Sequence, residues 1–404
     1  MVDVAVTLVL RFADVGVATY ASLRVVGEPS KTVTWVVEEA DLVGALDELA
    51  GALPDPRGSE TRRDAVDRAI AKGPFATPST ELALARALGG QLISDAAWRL
   101  LTDLVSSPRA ALFVSPSARL ARVPWALLAM ANDDGHRLME LVDVLMAAPP
   151  NIVNSPRMGA GWGSRRDGPP LLVLDPRVPG QRPDSALGSV LGRPSPDTPL
   201  AQHFSELLAR RSVLPDVSTA VDLFRRSDAD RDWLARLLEQ APSRLLFVGH
   251  ATAADGDVGH ADRAALHLAD ERPLAAADLM TAKLPMPPRV ALLACASGGD
   301  YQFDEATGLV AAMILGGAQL VTATLWSLPT AAGYRQFAPK EIGPEVDPMA
   351  DAIIAVDQAH EEADAGCAVN RWQRERMRQW RNGDLTASPL YWAALVSFAV
   401  DGAR

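Results

Sequence analysis

The sequence predicts an α/β fold: a mostly parallel sheet flanked by helices, with a small α+β extension at its N-terminus. Three observations lead there. From Thr80 onward, helical runs such as AAWRLLTDLV alternate with short apolar runs bounded by Pro, Gly and Asp, the pattern of βα units. Residues 2–37 instead alternate apolar and polar positions, as half-buried strands do. The chain has 404 residues, 48% hydrophobic and 22% charged, enough to bury one large core or two ordinary ones.

The N-terminal runs VAVTLVLRF, VATYASLRVV and KTVTWVV are separated by short Gly-, Asp- and Pro-containing breaks and read as an antiparallel meander. EEADLVGALDELAGAL follows with helical spacing and acids in its first turn, and PDPRGSETRRDAVDR reads as a polar link to another helix. Residues 1–80 are therefore expected to form a small α+β unit or extension, and residues 85–404 the main domain. In the main domain the expected strands are RAALFVS, PLLVLD, SRLLFVG, RVALLAC and AQLVTATLW. NIVNSPRMGAGWGSRRDGPP and GSVLGRPSPDTP read as exposed connections. MADAIIAVDQAHEEAD and RWQRERMRQWRN are helical; Arg371, Arg374, Arg378 and Arg381 lie at helical spacings, read as a solvated face with Trp372 and Trp380 beneath. SPLYWAALVSFAV supplies a last apolar run, expected as an edge strand. No fixed-period repeat argues for a solenoid.

The net charge of -11 and the lack of a long Lys/Arg block argue against nucleic acid or an anionic membrane as the main partner. The opening MVDVAVTLVLRFADV has no basic leader, and Arg11 interrupts its apolar stretch well short of a membrane span. With only two cysteines and no sign of a disulfide framework, a cytoplasmic protein is expected. High Ala, Arg, Asp and Pro point to a GC-rich bacterial source. Without CxxC or HxxxH pairs no zinc ligand set is expected, and GAGWGS lacks the GxGxxG spacing of a dinucleotide loop, so no cofactor is expected.

Two residues stand at strand ends, where an open α/β sheet gathers its ligands. His250 closes RLLFVGHATAADG and Cys295 closes RVALLACASGGD, 45 residues later, near the roughly 50-residue spacing of caspase-type peptidases. A thiolate there can attack a carbonyl while an imidazole takes its proton. The plain alternative for Cys295 is core packing, and for His250 a satisfied core or surface histidine. The other histidines fit less well: His136, His203 and His360 lie away from strand ends, and His260 and His267 lie further along the loop, His260 being a possible substrate contact.

An ordered set of segments then resembles the CHAT domain family, bacterial caspase-like peptidases. SARLARVPWALLAM, DVLMAAPPNIVNSPR, LLFVGHATA with ALHLADERPLAAADL, ALLACASG, DEATGLVAAMILGGAQLVTATLWSLPT and SPLYWAALVSFAVDG match its motifs in order, from about residue 85 to the C-terminus. The resemblance implies a caspase-like α/β fold and peptide-bond cleavage by a Cys295/His250 dyad, with an oxyanion held by the backbone N–H groups of Cys295 and Ala251. Two positions depart from the family. Ala251 replaces a usual glycine, costly if that backbone needs φ > 0, and Thr330 replaces a usual acid. Trp326 and Thr330 fall in the expected substrate pocket. Asp300, Asp304 and Glu305 are candidates to select a basic side chain, with solvated loop acids as the alternative.

The function expected is a cysteine endopeptidase acting on protein or peptide substrates and gated by a regulatory partner or signal in a bacterial defence or regulatory system. An inactive caspase-like scaffold is the alternative, and a small-molecule hydrolase on the same fold a third reading. Residues 1–80, which carry no tetratricopeptide pattern, are expected to dock the partner.

Overall fold

A computed structural model describes residues 6–105, 109–131, 135–157, 159–183, 185–252, 261–294, 308–340, 342–343 and 345–404. Thirteen strands follow in chain order among them: β1 Thr7–Val15, β2 Ala18–Val25, β3 Glu28–Glu38, β4 Ala111–Ser115, β5 Asp143–Ala147, β6 Leu171–Leu174, β7 Arg244–Gly249, β8 Ala251–Thr252, β9 Ala265–Leu266, β10 Leu274–Ala275, β11 Arg289–Ala294, β12 Leu320–Thr324 and β13 Leu395–Ala399. Ten form one sheet in the order β3-β2-β1-β4-β5-β13-β12-β11-β7-β6, and β10-β9-β8 form a small second one.

The α/β expectation holds, and the sheet is mostly parallel: six of its nine neighbouring pairs are parallel, and β1/β2, β2/β3 and β12/β13 are antiparallel. The antiparallel β12/β13 seam divides it into two blocks. In β6, β7, β11 and β12 the chain runs one way; in β13, β5, β4 and β1 it runs the other. β6, β7, β11 and β12 are buried at every position, as strands covered by helices on both faces must be. Helices Pro199–Arg210, Pro348–Ala359 and Ala365–Arg381 pack together, as do Ala276–Ala282 and Leu309–Leu315.

Local sequence sets the helix starts. Thr77, Thr198 and Asp347 each precede a proline, and each side chain accepts a backbone N–H three residues on. Proline at the first helical position lacks only an N–H that the helix leaves unpaired in any case, and its ring presets φ.

Two departures from expectation concern the sheet. The run ending SPLYWAALVSFAV gives β13, which is not an edge strand but lies between β5 and β12. β5, unassigned in the sequence reading, is what covers it. The N-terminal strands form the expected meander, and β1 also pairs in parallel with β4, Leu8 opposite Leu112, so they extend the main sheet. Phe12 of β1 stacks on Trp125 at 4.9 Å, and the Trp35 indole donates to Leu92 O at 3.0 Å. The edges of the sheet are β3 and β6.

Basic helix Ala365–Arg381 is neutralised within the chain. Arg374 is buried on Asp143 at 2.6 Å, while Arg371 pairs with Glu362, Arg378 with Glu375 and Arg381 with Glu140. Trp380 is buried and Trp372 half-buried beneath it.

Candidate active site

β7 and β11 are parallel neighbours whose register sets Gly249 opposite Ala294. Their C-terminal ends are therefore level, about 4.8 Å apart in the hydrogen-bonding direction. His250 is the next residue after Gly249; Cys295, the next after Ala294, lies outside the described residues. So do Asp300, Asp304, Glu305 and His260. The Thr324 hydroxyl of β12 donates to Ala294 O, holding the last carbonyl of β11.

The His250 ring is half-buried, with Nε2 3.1 Å from Gly188 O. A carbonyl oxygen only accepts, so Nε2 carries the proton and Nδ1 is the basic nitrogen of the neutral ring. Burial pushes the His250 pKa below its usual value; the Gly188 carbonyl and the Asp175 charge oppose that shift, and Arg62 and Arg225 add to it. A neutral imidazole at physiological pH can accept a proton, the first requirement of a general base.

Ala251 belongs to β8 and lies opposite Leu266 of β9. The neighbouring bond runs from His267 N–H to His250 O at 3.0 Å, which makes Ala251–Leu266 the non-hydrogen-bonded kind of antiparallel pair. The Ala251 N–H is thus directed away from β9, as an oxyanion donor would have to be. Its φ is not among the positive ones, so the methyl group costs no left-handed strain here. The departure from glycine leaves the donor in place.

Two expected pocket residues have other duties. Trp326 is fully buried, its ring 6.0 Å from Phe75 and its Nε1–H donated to Leu390 O at 3.0 Å. A large apolar ring with its one donor satisfied packs well as core. Thr330 caps the helix Ala331–Phe337, its Oγ1 accepting from Gly333 N–H at 3.2 Å. A hydroxyl serves that cap, which explains a threonine there.

Other participants were missed in the sequence. Asp175, the residue after β6, is fully buried, and its carboxylate accepts from Ser189, Val190, Leu191 and Arg225 in the loop and turn that surround Gly188. It ends PLLVLD as His250 ends its own run, and that parallel was the available signal. His267, discounted in the sequence, is brought beside His250 by the β8/β9 pairing; its Nε2 is 2.6 Å from Thr252 Oγ1, and burial followed by the His250 charge lowers its pKa. Arg62, from the helix Arg62–Asp67, shows that the N-terminal segment contributes charge near His250. No grouping of metal-ligating side chains occurs among the described residues, and no helix among them is long and apolar enough to cross a membrane.

Comparison with known proteins follows this geometry. No curated protein matches the chain. Among solved structures, two of the Saccharomyces cerevisiae separase–securin complex are similar, at 11% and 12% identity with TM-scores of 0.46 and 0.43. Each alignment covers 98% of this chain and 30% of the other, so the chain spans under a third of those neighbours' length. The family model described as the CHAT domain matches residues 82–400, most of the chain and all of the strands from β4 to β13. The chain belongs to the CHAT domain family.

Proposed function

We propose that this protein is a cysteine endopeptidase that cleaves protein substrates with Cys295 as nucleophile and His250 as general base, under the control of a partner or signal. One observation carries the reading. His250 stands at a strand end level with the residue before Cys295, and its Nε2–H is tied to the Gly188 carbonyl, which leaves Nδ1 as the base. In the reaction Nδ1 takes the thiol proton, the sulfur adds to the scissile carbonyl, and the imidazolium returns the proton to the leaving amine. Water then hydrolyses the acyl-enzyme. The Ala251 N–H supports the reading as one donor to the developing oxyanion.

The partner is expected to act through residues 1–80. These reach the site side of the molecule, where Phe75 packs on Trp326 and the Arg122–Asp55 ion pair ties the turn after the first helix to Arg122, whose Nε donates to Leu325 O. A bacterial, cytoplasmic defence or regulatory setting remains part of this proposal.

The test is incubation with a proteome-derived peptide library and candidate partners, comparing the wild type with Cys295→Ala and His250→Ala. Each substitution should lower cleavage by about 10³-fold or more, because the two groups act as a unit. Cleavage that survives Cys295→Ala would overturn the reading. Absence of any cut in the wild type would leave the inactive scaffold in its place.

A further inference from the structure

The carbonyl that orients His250 is itself held by a buried charge. Asp175 follows β6 with its side chain 1% exposed. Its N–H donates to Val248 O of β7 at 2.6 Å, two residues before His250, so its backbone is locked to the strand that carries the histidine. Its Oδ2 accepts from Ser189 Oγ at 2.6 Å and Leu191 N–H at 3.3 Å, and Oδ1 from Val190 N–H at 3.2 Å. The loop after Gly188 is thus folded around one carboxylate.

Arg225 completes the arrangement. Its Nη1 donates to Asp175 Oδ1 at 3.3 Å and to Gly188 O at 3.1 Å, the same oxygen that accepts His250 Nε2–H. Its own N–H donates to Leu174 O, the last carbonyl of β6. Asp175 and Arg225 both have left-handed backbones, φ 51° and 54°. Such a conformation costs about 1 kcal/mol or more for a non-glycine residue and persists where surrounding bonds over-determine it.

We propose that Asp175 is the positioning residue of the active site: through Arg225 and the 188–191 loop it holds the Gly188 carbonyl against His250, fixing the imidazole as the Nε2–H tautomer with Nδ1 as base. This deepens the reading of His250 as the general base. Among the described residues, the charged and titratable groups facing His250 are Asp175 after β6, Arg225 from the turn before Arg226, Arg62 from the helix Arg62–Asp67 and His267 after β9. Asp175 is the anion among them. Its removal leaves two arginines beside the ring and frees the Gly188 carbonyl to turn away.

The experiment is a pH titration of the ¹⁵N-histidine-labelled full chain by long-range ¹H–¹⁵N correlation, with the His250 signals assigned from His250→Gln. The wild type should show the Nε2–H tautomer. Asp175→Asn should lower the His250 midpoint by about half a pH unit or more and mix the tautomers. Arg225→Gln cuts the link from Asp175 to the Gly188 carbonyl and should likewise mix the tautomers, which keeps the inference testable if Asp175→Asn does not fold. Ser185→Ala removes a hydroxyl whose contacts are Gln181 and the Arg182 carbonyl and should leave the midpoint in place. An unchanged His250 titration in folded Asp175→Asn, an unmixed Nε2–H tautomer in Arg225→Gln, or a shift in Ser185→Ala equal to that in Asp175→Asn would each overturn the inference. None of these readouts uses cleavage, so a failed peptidase reading and a failed positioning role are distinguishable.

Discussion

The two blocks of the sheet place their polar groups differently. In the block β6, β7, β11, β12, polar side chains follow the strands: Asp175 after β6 and His250 after β7 serve a carbonyl and a ring nitrogen at the open end. In the block β1, β4, β5, β13 they close the structure. Asn370 brackets Val144 of β5, accepting from its N–H and donating to its O at 2.9 Å each; Arg374 pairs with Asp143; Arg137 pairs with Glu81. The second block spends its polar groups on the fold; the first does so at its strand starts, where Arg244 of β7 pairs with buried Asp357 at 2.8 Å and Arg289 of β11 donates to His360 O at 2.7 Å, and leaves the half-buried His250 ring at its open end. At the seam, His360 reaches Thr322 of β12 at 2.8 Å, and Thr322 reaches Ser397 of β13 at 2.9 Å.

The largest effect should follow from breaking the closed block. Arg374→Met keeps the aliphatic stem but leaves Asp143 buried without its partner, and should cost about 3–5 kcal/mol in denaturant unfolding. Arg371→Met, at an exposed pair, should cost under about 1 kcal/mol. Equal losses would erase the distinction between holding and solvated arginines on that helix.

Next is the seam. Burial pushes the His360 pKa down to about 3, with Arg289 and Arg244 adding to the effect and Asp357 opposing it. The folded pKa lies below the unfolded value of about 6.5, so this contribution is fully present above that pH and is lost as pH falls toward 3. The slope should approach about 1.4 kcal/mol per pH unit in that window. His360→Gln should flatten it in stability measured against pH. A slope that persists in the variant would place the acid sensitivity elsewhere.

The smallest effect concerns the active block. Thr330→Ala removes a helix cap and should cost about 1 kcal/mol in thermal unfolding, while Thr330→Ser should retain most of it. Were Thr330 a pocket wall instead, both variants would alter the cleavage pattern at unchanged stability.

Much of this was legible along the chain. The strands β4, β6, β7, β11 and β12 are apolar runs too short for helices and bounded by breakers, and the meander alternates with period two. β5 escaped because it is five residues long, begins on Asp143 and ends near two prolines; the Arg374 partner makes that acid acceptable inside. The two-residue strands β8, β9 and β10 carry no periodicity at all. His250 showed itself by standing just past a strand. Gly188 could not, because its contribution is a backbone carbonyl, which every residue type possesses.

By itself the sequence determined the secondary structure of the longer elements, the family, and which side chains stand at strand ends, since these rest on local spacing and order. Only the tertiary structure decided that β13 lies inside the sheet, that Trp326 is core, that the N-terminal strands share the main sheet, and that Asp175, Arg225 and Gly188 meet behind His250. Those facts depend on pairings between residues tens to hundreds of positions apart, and no local pattern encodes which partner a strand edge, a buried charge or a carbonyl will find.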